Sequence, residues 1–166
     1  MPHDLEKLIH AFISSRLDYC NSLFSTLSRS SLHRLQLVQN AAARLLTNTF
    51  RRAHITPVLA ALHWLPIECR IVFKISLITY KAIHGLAPDY IAELLSPKVN
   101  VRLLRSSNKH LLKVPKTKLK TKGDRAFSAV APTLWNCLPL AIKNAESVDV
   151  FKRLLKTHLF RNHFGV

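Results

Sequence analysis

The sequence predicts an all-α fold: an irregular helical bundle around a buried central helix at about 66–84, with a basic extended loop or weak hairpin at about 98–123. Three observations carry this prediction. Apolar residues recur at steps of three and four through most of the chain, the period of a helix rather than a strand. Only three glycines occur in 166 residues, too few for a sheet-rich fold with many tight turns. One run, 67–84, is apolar almost all the way round, and a helix without a polar face must be covered by others on most sides.

Taken in order, Leu5, Leu8, Ile9, Phe12, Ile13, Leu17, Cys20, Phe24 and Leu27 follow a helical period, with Ser14 and Ser15 as the expected break. Ser28 to Ser31 offer N-cap oxygens. The segment 32–49 is strongly helical. Leu35, Val38, Ala42, Leu45 and Leu46 form its expected core stripe. His33, Gln36, Asn40, Arg44, Thr47 and Arg51 form a second stripe, within about 80° of each other at 100° per residue, polar and free of acids. A connector at 54–62 holds a helical turn after Pro57.

The central helix is bounded by chemistry at both ends. Pro66 suits the first helical position, where a missing N–H costs nothing, and Gly85 suits the position past the last turn, where φ is positive. A membrane span of similar length is excluded by Glu68, Arg70, Lys74 and Lys81, four charges that hydrocarbon does not tolerate. Pro88 opens a short helix, 89–95, with Asp89 favourable in its first turn. Pro97 ends it.

At Lys98 the character changes. Residues 98–125 hold ten Lys or Arg and one acid, Asp124, a net +9 of the chain's +16. Large apolar residues are sparse there, so an extended loop is expected, with a weak strand or hairpin at 111–120. A helix resumes at Asp124, with Pro132 as a kink or boundary. A short helix follows at 140–144. Ser147 caps the last one, with Val148, Phe151, Leu154, Leu155 and Leu159 on one side and Lys152, Arg153 and Lys156 on the other. There is no internal repeat. The expected organisation is a helical region at 1–97, the basic loop at 98–123, and helices at 124–166 that pack on the same core as one domain.

A net charge of +16 on a chain this size biases its partners toward polyanions. Cys20, Cys69 and Cys137 are too far apart in sequence for a disulfide framework or a metal knuckle, and so sparse a count fits a reducing compartment. The first residues show no signal or transit pattern. The expected location is intracellular, in nucleus or cytoplasm. The chain also starts inside an apolar periodic segment, as a piece of a longer chain would.

Enzyme readings find no support. The nine acids are scattered, whereas two-metal chemistry needs clustered carboxylates. No Gly-rich phosphate loop or nucleophile motif is present. His158 and His163 lack the cysteine pair that would complete a zinc site, and His63 beside Trp64 reads as a packed or capping side chain. The chain is expected to be non-catalytic and to need no cofactor.

The basic segment is the strongest functional signal. Lys116, Lys118, Lys120 and Lys122 alternate, so in an extended chain they project from one side and suit a ladder of phosphates. Arg102, Arg105, Lys113 and Arg125 extend the set. Arg44 and Arg51, on the polar stripe, form a second candidate. Lysine is a point charge without base-edge geometry, so backbone positioning is expected, not sequence reading. The plain alternative is a solvated loop whose charges only keep the chain soluble. Trp64 and Trp135 are able to stack on bases, but each sits among Leu and Pro and reads as a core anchor.

Seven stretches in this order, SRLDYCNSL at 15–23, LQLVQNAAARL at 35–45, HITPVL at 54–59, LHWLP at 62–66, TYKAIHGLAP at 79–88, GDRAFS at 123–128 and LWNCLP at 134–139, resemble the region downstream of the polymerase palm in LINE-type (non-LTR) retrotransposon reverse transcriptases of the jockey-like kind. The resemblance covers the chain from about Leu8 to His158. It implies a thumb-like region followed by the C-terminal segment. The Tyr-x-Asp-Asp catalytic motif and the endonuclease of such enzymes are absent from these residues, so no catalytic residue transfers, and Mg²⁺ belongs to the missing polymerase domain. The implied function is to hold template RNA and target DNA by their phosphates during target-primed reverse transcription. RNA, DNA and the missing palm domain are the implied partners, with neither a membrane nor a small-molecule substrate. The other reading is a non-functional or structural remnant of a transposable element, or a co-opted small nucleic-acid-binding protein.

Overall fold

The computed structural model describes residues 2–98, 110–118 and 123–165. Among them the regular structure is helical, as expected, with one isolated antiparallel bridge between Pro97 and Leu112. The α-helices are α1 (Pro2–Ile9), α2 (Ser15–Asp18), α3 (Arg29–Thr47), α4 (Thr56–Ala61), α5 (Ile67–Ile83), α6 (Asp89–Ala92), α7 (Phe127–Cys137), α8 (Leu140–Lys143) and α9 (Val148–Phe164). The chain divides into two compact units. One comprises Met1–Ile71 with His158–Val166, the other Val72–Thr157. The divisions fall inside α5 and inside α9. No helix among the described residues is long and apolar enough to cross a membrane.

In the first unit, α1 continues through a π-helical turn (His10–Ser14) into α2 without the expected break at Ser14 and Ser15. The Ser15 hydroxyl is satisfied inside the helix by donating to the Ala11 carbonyl, so it does not compete for the backbone. The break comes instead at Cys20, whose φ of 48° is left-handed. A 3₁₀ turn, Asn21–Thr26, follows. The π-turn shifts the helical face: Ile9 and Leu17 are buried, while Leu8, Phe12 and Leu27 are exposed.

Helix α3 starts where expected, with the Ser28 hydroxyl accepting the Ser31 N–H at 3.2 Å. Its faces, however, are not those the apolar stripe predicts. Gln39, Asn40, Ala42 and Ala43 are buried, whereas Val38 and Leu45 are exposed. The reason is hydrogen bonding. The backbone leading into α5 is buried at Trp64, Leu65 and Ile67, and buried peptide groups require partners. Gln39 Nε2 donates to the Leu65 carbonyl at 2.9 Å. Gln36 Oε1 accepts the Ile67 N–H at 2.9 Å. Gln36 Nε2 in turn donates to Gln39 Oε1 at 3.0 Å and to Asn40 Oδ1 at 2.8 Å. Arg70 adds a second donor to the Leu65 carbonyl through Nε at 2.9 Å. Its Nη1 reaches both Asp18 oxygens, at 2.9 and 2.8 Å. The core beneath comprises Ile9, Ala42, Ala43, Leu59 and Trp64, with Leu5, Ile13, Leu46 and Phe164 among the side chains packed round it.

Helix α5 fulfils the expectation of a helix covered on most sides: of its 17 residues only Glu68 and Ile83 are exposed. Pro66 stands one place before its first residue and accepts the Arg70 N–H at 2.9 Å. At the other end Gly85 has φ +68° and the Leu86 N–H bonds to the Lys81 carbonyl at 2.8 Å, the closure that demands a left-handed residue.

The second unit is built on aromatic packing. The Tyr80 ring stacks between His84 and Phe151, with centroids 4.0 and 4.2 Å away, and its hydroxyl donates to the Ala145 carbonyl at 2.7 Å. Trp135 lies 6.1 Å from Phe151. Helix α7 runs through Pro132, so that proline is no boundary; the bond forfeited there is only the one to the Ser128 carbonyl. The helix begins at Phe127, after a 3₁₀ turn at Gly123–Arg125, not at Asp124. Helix α6 stops at Ala92, short of the expected Leu95. Ser147 caps α9 as expected, its hydroxyl accepting the Val150 N–H at 3.3 Å.

Two predictions follow from this packing. Tyr80→Phe strands the Ala145 carbonyl in the core and is expected to cost about 1–3 kcal/mol in urea unfolding; an unchanged midpoint would show that water replaces the hydroxyl. Burial, with Glu68 as the lesser cause, pushes the Cys69 thiol above its ordinary pKa, whereas Cys20 and Cys137 are exposed and free. A thiol-exchange reagent at neutral pH is therefore expected to label Cys20 and Cys137 first and Cys69 much more slowly, since only the thiolate attacks.

Candidate nucleic-acid interface

The basic segment belongs to the second unit and is anchored at its described ends. On the first side, residues 96–98 and 111–113 pair as a minimal antiparallel ladder. The Lys98 N–H bonds to the Leu111 carbonyl at 2.9 Å and the Lys113 N–H to the Ser96 carbonyl at 2.8 Å. Helix α7 holds the other edge of the same stretch. Asn136 works as a surrogate strand: its Oδ1 accepts the Leu112 N–H and its Nδ2 donates to the Leu112 carbonyl, both at 2.9 Å. Trp135 Nε1 donates to the His110 carbonyl at 2.8 Å, and His110 itself is left-handed at φ 45°. Leu112 is buried by this clamp.

Beyond the clamp the chain comes to the surface. Lys113, Lys116 and Lys118 are exposed, and among the described residues none of them pairs with a carboxylate. Val114 and Pro115 border an open cavity of about 400 Å³ against Ala129, Val130, Thr133 and Leu134 of α7. The second anchor is at Thr117, whose hydroxyl donates to Asp124 Oδ1. Asp124, the single acid of the segment, is thus engaged by a threonine. The approach there is close: a Cβ on Gly123 would lie 2.7 Å from Thr117 Cβ, so only glycine fits.

Arg125 is exposed beside this anchor. Arg102, Arg105, Lys120 and Lys122 lie outside the described residues. Arg44 and Arg51 belong to the first unit. Arg51 is exposed. Arg44 is half-buried and turned onto its own chain: Nη2 donates to the Ala53 carbonyl at 3.3 Å, and Nε is buried without a partner among the described residues. Both tryptophans are buried, Trp64 at 7% and Trp135 at 1% exposure, so neither offers a stacking face. No group of three or more metal-ligating side chains occurs among the described residues.

The anchoring residues escape a reading based on charge. Asn136 carries none, and its only signal is an amide placed among Leu, Trp, Cys and Pro in the stretch 134–139, where a polar group needs a partner. Compared with protein-family models, with curated proteins and with solved structures, the chain gives no match.

Replacing Asn136 by Ala leaves the Leu112 N–H and C=O without their α7 partners. Hydrogen exchange at the Leu112 amide is expected to accelerate by about 5- to 150-fold, for a loss of about 1–3 kcal/mol, while α5 and α9 amides keep their protection. Unchanged exchange at Leu112 would show that the Asn136 clamp does not hold the segment.

Proposed function

We infer that the chain binds nucleic acid through the phosphate backbone, using the lysines that follow the Asn136 clamp. The observation that carries this reading is the state of Lys113, Lys116 and Lys118: exposed, and without a carboxylate partner among the described residues. Lysines that are not neutralised internally are available to displace the counterions of a polyanion. The net charge of +16 adds long-range attraction. Lys116 and Lys118 stand two residues apart, the spacing that keeps side chains on one side of an extended chain. The sequence resemblance sharpens the proposal. As a non-catalytic piece of a LINE-type reverse transcriptase, the chain would grip template RNA or target DNA, with catalysis supplied by the palm of the parent enzyme.

A second reading, a structural remnant without a binding role, draws on a different observation. Leu8, Phe12, Leu37, Val38 and Leu45 of the first unit are exposed, apolar side chains of the kind that an unformed interface leaves in water. A broad, non-cooperative melt with dye-binding apolar surface favours that reading, and a sharp melt opposes it.

A salt titration tests the first. Engagement of six phosphates predicts that log K falls against log salt with a slope of about −5. Lys116→Gln with Lys118→Gln should weaken duplex and hybrid binding alike, whatever their sequence, and flatten the slope by about 2. Binding that is undetectable at low salt, or indifferent to salt, would remove the proposal.

A further inference from the structure

Helix α3 buries one face and leaves the opposite one open and largely apolar. Gln39, Asn40, Ala42 and Ala43 are buried. Arg34, Val38, Ala41 and Leu45 are exposed and lie within about 60° of each other at 100° per residue, with Leu37 at their border. The four follow one another at intervals of four, three and four residues, the spacing of a coiled-coil seam. Leu37, Val38 and Leu45 are 51, 47 and 61% exposed. Residues three and four apart are neighbours on a helix surface, so these side chains form one continuous strip. It runs for about 17 Å, or three turns.

The charge along this helix has one sign. No acid occurs in α3, whose ionisable residues are Arg29, His33, Arg34 and Arg44. Arg51 and Arg52 follow it, both exposed. Arg34 stands inside the strip, at an angle between those of Leu45 and Ala41, and has no carboxylate partner among the described residues.

That position decides what the strip fits. A lipid surface that took in the leucines would take a guanidinium toward hydrocarbon with them. A second copy of α3 brings no carboxylate to answer Arg34, and two chains of net charge +16 repel each other. A phosphate backbone answers Arg34 but gains nothing from Leu37, Val38 and Leu45. A helix with an apolar seam and carboxylates on its flanks meets both demands. Its large apolar side chains enter the space that the small Ala41 leaves between Val38 and Leu45, and a carboxylate takes Arg34 in a charge-assisted hydrogen bond. We propose that the outward face of α3 docks an acidic amphipathic helix of a partner protein. The inference stands apart from the phosphate-binding reading, which uses lysines of the second unit.

The test uses the full chain labelled with ¹⁵N, titrated with a synthetic peptide of about three heptads that carries Leu at a and d and Glu at e and g. The peptide is expected to shift the amides of 34–45. A scrambled peptide of the same composition keeps the charge and loses the apolar seam; it is expected to bind those residues at least about tenfold more weakly. The double variant Leu37→Gln with Leu45→Gln, at exposed positions, is expected to lower affinity for the ordered peptide by at least about tenfold. Arg34→Glu, which removes no leucine, is expected to weaken binding of the Glu peptide and to strengthen binding of one with Lys in place of Glu. The inference is overturned if the Glu peptide leaves 34–45 unmoved or if the scrambled peptide binds there as tightly. It is overturned equally if the leucine variant binds like the parent or if reversing the charge at Arg34 changes nothing. Two further results assign the face to another occupant and also overturn it. One is broadening of 34–45 by phosphatidylserine vesicles, relieved in the leucine variant. The other is a dimer of the free chain in sedimentation that the leucine variant abolishes. Lys116→Gln with Lys118→Gln is expected to leave the α3 shifts unchanged, so failure of the peptide arm with salt-dependent duplex binding intact removes the docking proposal alone.

Discussion

The carbonyl of Leu65 accepts two side-chain hydrogen bonds, from Gln39 Nε2 and Arg70 Nε, both at 2.9 Å. Much of the first unit is arranged by that requirement. The chain enters its central helix through buried backbone, where water is not at hand and each unmet peptide group costs about 1–3 kcal/mol. Gln39 meets one such group and Gln36 meets the Ile67 N–H, so α3 must turn its amide side inward. Arg70 meets the same carbonyl from the other direction and carries the Asp18 carboxylate with it, which ties the end of α2 to the start of α5. The buried Ala42 and Ala43 lie next to the amides in the chain and leave α3 without bulk where it meets the core.

The second unit solves a related problem with different groups. A cationic segment has few apolar residues with which to hold itself in place. Leu112 is buried, and its two peptide groups are matched by the Asn136 amide, while the Trp135 indole takes the carbonyl of His110. Trp135 is itself part of the aromatic packing with Phe151, and Phe151 stacks on Tyr80 of α5. The base of the segment is thereby fastened to the buried aromatic packing of its unit. Past the clamp the exposed lysines are free of internal carboxylates among the described residues, and the one local acid is occupied by Thr117.

Where the sequence was legible, the signal was local. Ser28 and Ser147 cap helices because a hydroxyl at that position reaches an N–H three residues on. Gly85 closes α5 because a left-handed residue is cheap only without a Cβ. Trp64 and Trp135 were legible as core anchors from their apolar neighbours. The inward face of α3 was not legible. Its partners, Leu65 and Ile67, lie 26 and 31 residues away, and apolar periodicity assigns Val38 and Leu45 to the core without knowing that backbone elsewhere needs amides. The polar stripe that looked like a phosphate-binding face accordingly holds Gln36 and Asn40 inside, with Arg44 half-buried on its own chain. Asn136 was missed for the same reason, since its role is defined by Leu112, 24 residues earlier.

The sequence by itself determined the helical class, the capped ends of α3, α5 and α9, the burial of most of α5, and the concentration of positive charge after Lys98. These depend on covalent geometry, on hydrogen bonds within one turn, and on composition, which are all properties of neighbours along the chain. Tertiary structure decided which side of α3 faces inward, where the first helix breaks and what fastens the basic segment. Those outcomes follow from matching buried polar groups to partners distant in sequence, and that matching exists only once the chain has folded.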